Sequence, residues 1–430
     1  MATVMGRLKR GLKWLYPGMA VKRWALLAAG SMLLVVLGLV LLLGRELVRW
    51  LWGLFVPTPG YALLVGAGAV TVGLAGTVFG IKGFLRSIIR GVAPEAIGQT
   101  AEVLYSRRRL ARGPSVVALG GGTGLSTLLR GLKEFTANIT AVVAVMDDGG
   151  SSGRLRQELD ILPPGDIRNC LIALADDESR IAQLFQHRFR GGSLDGHSLG
   201  NLVIAGLKER LGRFDLAIEE MSHILSIRGQ VLPATLERVD LVAELEDGSF
   251  LRGEQEIAHD PRKIKRMLLS KQPVGAYEPV LEELDRAELI VLGPGSLFTS
   301  IIPNLLVEGV AAAIARARAK KFFIVNLMTQ PGETDGFTAR DHLLALGDYL
   351  DIAKLDYVVV NCQPIPEELL RRYEAEGSVP VVDDLREGEL PPGLRVIRAE
   401  LLDIVELEGK PTIKHHPRKL ARVIMEQAKV

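Results

Sequence analysis

The stretch "VVALGGGTGLST", Val116 to Thr127, decides the fold class. A β-branched apolar run stops at Gly120, Gly121, Gly122 and Gly124, and a helical pattern follows. Glycine lets the backbone come close to a ligand, and a helix N-terminus supplies free N–H groups and positive potential, so strand, glycine loop and helix together suit a phosphate. A tight turn with nothing bound is the plainer alternative. The spacing excludes two familiar loops. Leu125 and Thr127 stand where the dinucleotide fingerprint needs its third glycine, and no Gly-Lys-Ser/Thr follows to make a Walker A loop.

Outward from this stretch, apolar runs alternate with helical patterns. Strands are expected at Ser115–Gly120, Ile139–Met146, Ala287–Gly295, Lys321–Met328 and Leu355–Cys362, with helices such as Arg213–Leu225 and Phe337–Leu350 between them. Continuous apolar runs, rather than alternation, mark strands buried on both faces of a parallel sheet. The expected fold is therefore α/β: a Rossmann-like, doubly wound, mostly parallel sheet. Alternation around Asp247-Gly248, within Val239–Ile257, adds a small antiparallel hairpin.

Upstream the texture changes. Trp24–Gly44 carries no charge and has the length of a membrane span; Gly60–Gly80 is a second, rich in small residues that let helices approach closely. The first run is too long for a signal peptide. Up to Gly113 the chain has 15 Lys and Arg against 3 Asp and Glu; from Pro114 it has 37 against 47. Basic residues precede the first span and follow the second, so both ends face the cytoplasm by the positive-inside rule. The expected layout is a two-helix transmembrane hairpin in 1–92, a basic linker in 93–114 and a cytoplasmic body in 115–430. The expected location is the inner membrane, crossed twice. An acidic body argues against nucleic acid as a partner. Cys170 and Cys362 form no CxxC, which fits a reducing compartment and excludes a zinc ribbon.

The body's polar loops supply the candidate site. "MDDGGSSGR" closes the second strand, where Asp147 or Asp148 suits a ribose, a sugar hydroxyl or Mg²⁺, and Ser151 and Ser152 offer donors to an anion; an Asx turn is the alternative. In "LPPGDIRNCLIAL", Asp166 reads equally as a helix cap, while Arg168 and Asn169 lie in the first turn, Arg168 suited to a bidentate phosphate contact. "GHSLGN" matches a G-x-S-x-G elbow, but no buried strand precedes it, so Ser198 is not read as a nucleophile; His197 and Asn201 suit hydrogen bonds to a ligand. "LGPGSLFTSIIPNLL" repeats the strand, glycine loop, helix arrangement with Gly295 and Ser296. "NLMTQPGETDGFTARDH" reads as a lid or wall, with no chemistry assigned to Glu333, Thr334 or His342, and His415 with His416 reads as a solvated pair in the tail.

Six of these motifs in order, "GGGTGLS", "MDDGGSSGRLR", "PPGDIRNCL", "HSLGNL", "GPGSLFTSIIPNLL" and "NLMTQPGET", resemble the YvcK-type gluconeogenesis factors, relatives of the 2-phospho-L-lactate transferase CofD of coenzyme F420 synthesis. The resemblance covers Ser115 onward. It implies a Rossmann-like body that binds UDP-N-acetylglucosamine and serves cell shape and peptidoglycan wall synthesis on gluconeogenic carbon, through a protein partner. The transferase relatives imply an alternative, Mg²⁺-dependent transfer of a phospho-linked group from a nucleotide donor, with Asp148 as the metal ligand. Carried over by motif, Gly121, Gly122, Thr123, Gly124, Gly295 and Ser296 would contact the nucleotide and its phosphates. Asp147, Asp148, Ser151, Ser152, Arg168, Asn169, His197 and Asn201 would line the same cleft. The expectation is a regulator with no catalytic residue and no cofactor required for binding. A homodimer suits such a body. The membrane hairpin departs from the soluble members of the family.

Overall fold

The computed structural model describes residues 21–43, 59–92, 109–176, 178–407 and 409–428. The basic residues before the first helix, the connection at 44–58 and the linker at 93–108 lie outside them. The chain divides into two compact units, Met1–Ser106 and Arg107–Val430.

Among the described residues of the first unit are the helices Val21–Leu43 and Pro59–Val92, the second beginning with a proline whose missing N–H costs nothing at a first helical turn. They pack through small residues: a Cβ on Gly73 would lie 2.6 Å from Val35 Cγ2, and one on Gly76 would lie 2.2 Å from the Ser31 hydroxyl. The opposite faces carry exposed Leu26, Met32, Leu33, Leu63, Leu64 and Phe79. Leu63–Gly83 is long and apolar enough to cross a membrane by length and composition; Leu26–Leu41 is a shorter apolar stretch.

The second unit is built on a seven-stranded sheet. Its strands are β1 (Val116–Gly120), β2 (Ile139–Val143), β3 (Gln230–Pro233), β7 (Leu289–Leu292), β8 (Lys320–Ile324), β9 (Tyr357–Asn361) and β10 (Arg395–Ala399). A three-stranded antiparallel sheet holds β4 (Leu241–Leu245), β5 (Phe250–Arg252) and β6 (Ile264–Leu269); β11 (Leu402–Leu407) and β12 (Lys410–His415) form a hairpin. The large sheet is parallel throughout, in the order β10-β9-β8-β7-β1-β2-β3. The chain runs β1 to β3 toward one edge, returns, and builds β7 to β10 toward the other, the doubly wound order. Alternate residues of each strand feed separate cores: Val117, Leu119, Ile290 and Phe323 on one face, Val116, Ala118, Val291 and Phe322 on the other. Burial on both faces is why the strands read as unbroken apolar runs.

The expected α/β class and antiparallel addition are thus present, with most strand ends trimmed by one to four residues, β2 starting at Ile139 as expected and β8 starting one residue early at Lys320. The hairpin turn lies at Asp247-Gly248, where Ser249 N–H donates to Asp247 Oδ1 at 2.9 Å. Edge strands β3 and β10 and the β11–β12 hairpin were not among the expected elements.

The order reverses between β1 and β7, so the loops leaving these strands meet at the sheet's carboxyl edge. Helix Gly122–Leu132 begins inside the first glycine loop, where Gly122 has φ +56°, a conformation other residues rarely adopt. A Cβ on Gly124 would stand 2.3 Å from the Pro294 carbonyl oxygen of the second loop. Buried Asn304 donates to Gly120 O at 3.1 Å and Ser300 O at 2.8 Å, tying the end of β1 to the segment after β7.

Because the obstacle at Gly124 is backbone, Gly124→Ala is expected to destabilise the body by about 1–3 kcal/mol. Gly206→Ala, on an exposed helical face with nothing within 4 Å, is expected to stabilise by about 0.5–1 kcal/mol. Urea midpoints of the full-length protein in detergent, followed by far-ultraviolet circular dichroism, measure both. Equal midpoints for the two variants would contradict the loop contact.

Candidate functional site

The two glycine loops face one cleft of about 690 Å³ at the switch point. Its walls include Gly121, Gly122, Thr123, Gly124, Gly295 and Ser296, together with Asp147, Asp166 and Glu254. Ligands of open α/β sheets bind at this edge, outside the carboxyl ends of the strands. Ser296 precedes a π-helical turn, Leu297–Ile301, a rare geometry that recurs at functional sites. The loop after β8 braces it: Gln330 Nε2 donates to Ser296 Oγ at 2.7 Å, and Gly295 N–H to Asn326 Oδ1 at 3.4 Å. The polar 326–342 segment is thus a wall of the cleft through Asn326, Thr329 and Gln330. Glu333 lies behind that wall, accepting from Thr299 Oγ1 at 3.2 Å and from the Phe298 and Thr299 N–H groups.

A smaller recess of about 240 Å³ opens beside it, sharing Asp147 and Asp166 with the main lobe. Ser151, Ser152, Arg168, Asn169 and Asn201 line it. Here the sequence motifs interlock. Asn201 Nδ2 donates to Ser151 Oγ at 3.1 Å, and Ser151 Oγ lies 3.1 Å from His197 Nδ1. Arg168 donates to Asn201 Oδ1 at 2.7 Å, to Asn169 Oδ1 at 2.9 Å and to Ser198 Oγ. Ser152 Oγ accepts from Gly165 N–H at 3.1 Å. Burial, and then the charge of Arg188, push the Arg168 guanidinium down to about 10.

Two candidates stand apart. Asp148 Oδ1 accepts from Gln255 N–H at 3.0 Å, holding the start of helix Glu254–His259. His197, 3% exposed, lies beneath Ser151 and positions it. Ser198 caps helix Leu199–Leu211 through a 3.3 Å bond from Asn201 N–H, and no sheet strand precedes it, so the nucleophile-elbow match is accidental. Asp166 does not cap its own helix; its carboxylate accepts from Gly122 N–H in the first glycine loop.

Sequence reasoning missed Glu254, Lys414 and His415. His415 is no solvated tail residue: β12 carries it, buried, into the cleft wall beside Lys414. Burial holds its imidazole down at about 4. The alternating pattern of Lys410–His415 was the available signal. Glu254 gave none, because its place depends on the β4–β5 hairpin folding back.

The cleft's carboxyl groups are crowded. Burial, reinforced by Asp147, raises Asp166 to about 7; burial, then Asp147, Asp166, Glu333 and Asp148, raise Glu254 to about 9. Asp147 is raised by burial against the bond from Gly149. Among the described residues, no group of three or more His, Cys, Asp or Glu side chains has the arrangement of a metal site.

Strand order, loops and cleft define a Rossmann-like α/β protein whose site lies at the switch point. Residues 116–402 match the family described as 2-phospho-L-lactate transferase CofD. A Nostoc relative is 43% identical over 98% of this chain and 93% of its own length. The gluconeogenesis factor of Halalkalibacterium halodurans is 47% identical, over 73% of this chain and 96% of that protein; that of Bacillus subtilis is 46% identical, over 74% and 98%. The crystal structure of a UPF0052 family member from Bacillus halodurans superposes with a TM-score of 0.69 at 46% identity, covering 72% of this chain and 99% of that one. The chain belongs to the CofD family, among its YvcK-type gluconeogenesis factors.

Raised carboxyl groups favour the folded state at low pH, and that contribution is lost as pH climbs from the unfolded values of 3.8 for Asp166 and 4.5 for Glu254 through about 7 and about 9. Glu254→Gln is therefore expected to lose less melting temperature than the parent between pH 5 and pH 9.5. Parallel melting profiles would show that Glu254 is not held in its protonated form.

Proposed function

We propose that this protein is a nucleotide-sugar-binding regulator whose ligand is UDP-N-acetylglucosamine, required for cell shape and wall synthesis during gluconeogenic growth. The observation that carries the reading is the pair of abutting glycine loops on one cleft. Its size falls in the range of about 300–1,000 Å³ typical of small-molecule sites. The helix starting at Gly122 aims N–H groups at that cleft, as phosphate sites require. The wall-synthesis role, and a protein partner through which it acts, follow from membership among gluconeogenesis factors and from the motifs shared with them. In this reading the two N-terminal helices form a hairpin in the inner membrane and hold the body on its cytoplasmic side. The exposed leucines of both helices, their small-residue contact and the flanking basic residues support that anchorage. Such a body is suited to pairing as a homodimer.

One observation favours the transferase alternative: Asp147, Asp166 and Glu254 converge beside the loops expected to hold phosphate. Mg²⁺ needs only one or two protein carboxylates, the rest of its shell being water and phosphate oxygens. Asp147 is better placed for that task than Asp148, because it lines the cleft beside the glycine loops and Asp148 does not. Bound there, the ion would supply charge neutralisation to a transferring phospho group.

Calorimetric titration of the full-length protein in detergent with UDP-N-acetylglucosamine, UDP and GDP separates the readings. Saturable binding of the UDP-sugar is expected, weakened at least about tenfold, or 1.4 kcal/mol, in Thr123→Trp, which places bulk at an exposed position of the cleft. GDP binding that requires Mg²⁺, without UDP-sugar binding, would assign the protein to the transferases instead.

A further inference from the structure

Beside the glycine-loop lobe lies a second lobe of about 860 Å³, and the two share Thr123 and Lys414. Its character is the opposite of its neighbour's. Arg130, Arg168, Arg188, Arg190 and Lys414 line it, and no carboxylate does. Arg130 is paired with Glu178. The other four have no carboxylate within ion-pair distance among the described residues.

Such clustering is uncommon, because like charges repel and each prefers a counter-charge. Arg168 is the sharpest case. It is 7% exposed, and its hydrogen bonds all go to neutral acceptors: Ser198 Oγ, Asn201 Oδ1 and Asn169 Oδ1. A buried guanidinium so held is oriented but paired with no carboxylate; the charges of Asp166 and Asp147 act on it from beyond ion-pair distance and do not offset its burial. Its orientation is fixed from behind by Ser151, Asn201 and His197, two motif segments committed to holding one cation. Arg188 is steadied as well, donating to Gly196 O at 3.0 Å. Lys414 comes from the β11–β12 hairpin, and burial and the charge of Arg130 hold its amine below the usual lysine range. Three separate segments thus deliver cations to one lobe whose own lining holds no carboxylate to pair with them.

We infer that this lobe is an anion subsite for a group bearing at least two negative charges, a phosphate or diphosphate, separate from the contacts made by the glycine loops. The inference goes beyond the nucleotide-sugar reading and does not depend on it. Two sources present this chemistry: the diphosphate of a nucleotide that spans both lobes, or a phosphorylated metabolite bound on its own. The shared residues Thr123 and Lys414 put the two lobes in contact, so one extended molecule can occupy both.

The probe is inorganic pyrophosphate, titrated calorimetrically into the full-length protein in detergent at low and at moderate salt. The parent is expected to bind it saturably, more weakly as salt rises. Arg188→Ala/Arg190→Ala, at exposed loop positions, is expected to bind at least about tenfold more weakly, with an unchanged circular dichroism spectrum. Lys208→Ala/Arg210→Ala removes the same charge from the end of helix Leu199–Leu211 and is expected to stay within about twofold of the parent. No binding by the parent at low salt, or equal weakening in both double variants, would overturn the subsite. Repeating the titration with saturating UDP-N-acetylglucosamine identifies the source. Lost pyrophosphate binding makes the subsite the seat of the nucleotide's diphosphate. Retained binding makes it the seat of a second metabolite. Pyrophosphate binding without any UDP-sugar binding would uphold the subsite and reject the nucleotide-sugar reading alone.

Discussion

Everything at the site depends on one approach of backbone to backbone: the Cα of Gly124 against the carbonyl of Pro294. A parallel sheet that reverses its strand order must bring two loops together where the winding changes direction. Here both loops are glycine-rich, so the contact occurs between main chains with no side chain between them. Asn304 locks the arrangement by satisfying Gly120 O and Ser300 O at once. That contact sets where helix Gly122–Leu132 leaves the sheet and where the π-helical turn after Ser296 lies. The cleft is what remains between the loops when their backbones cannot close further.

The cleft sorts charge by strand. The loop after β2 and the segment after β5 bring Asp147 and Glu254 to one side, with Asp166 reaching across to Gly122. The start of helix Gly165–Leu174, the loop at 187–190 and β12 bring cations to the other. The two sides meet at Arg168, on which the charges of Asp166 and Asp147 act without pairing, and burial strains both: the carboxyls are driven toward their protonated form, and Arg168 and Lys414 toward loss of charge. The two lobes thus offer one extended molecule surfaces of opposite character, joined at Thr123 and Lys414.

The parallel sheet was legible because burial on two faces leaves a mark in sequence: five unbroken apolar runs, each stopping at glycine or polar residues. Edge strands leave a weaker mark. Gln230–Pro233 is short and ends in proline, and Arg395–Ala399 is charged and half-buried, as edges are. The glycine loops and Asp147 were legible as cleft-lining residues because glycine and polar residues directly after buried strands have few structural reasons to be there, whereas Arg168 and Asn201 lie in the first turns of helices and were read from their residue types alone. What each one touches was not. Whether Asp166 caps its own helix or reaches Gly122 depends on how helix Gly165–Leu174 docks against β1, a tertiary fact. His415 misled for a related reason. A histidine pair near a chain's end reads as solvated until the hairpin that precedes it is known to fold back over the body.

That hairpin sets an order of events as well as a shape. The wall of the cleft joins Gly121–Gly124, early in the body, to Lys414 and His415 on β12, and helix Pro417–Gln427 packs so closely behind that a Cβ on Gly131 would strike the Pro417 carbonyl at 2.0 Å. A nascent chain leaving the ribosome exposes both glycine loops long before β12 exists. It can assemble its sheet while still lacking one side of its pocket. A chain that stops short of β12 therefore keeps both glycine loops but lacks Lys414 and His415 in the cleft wall.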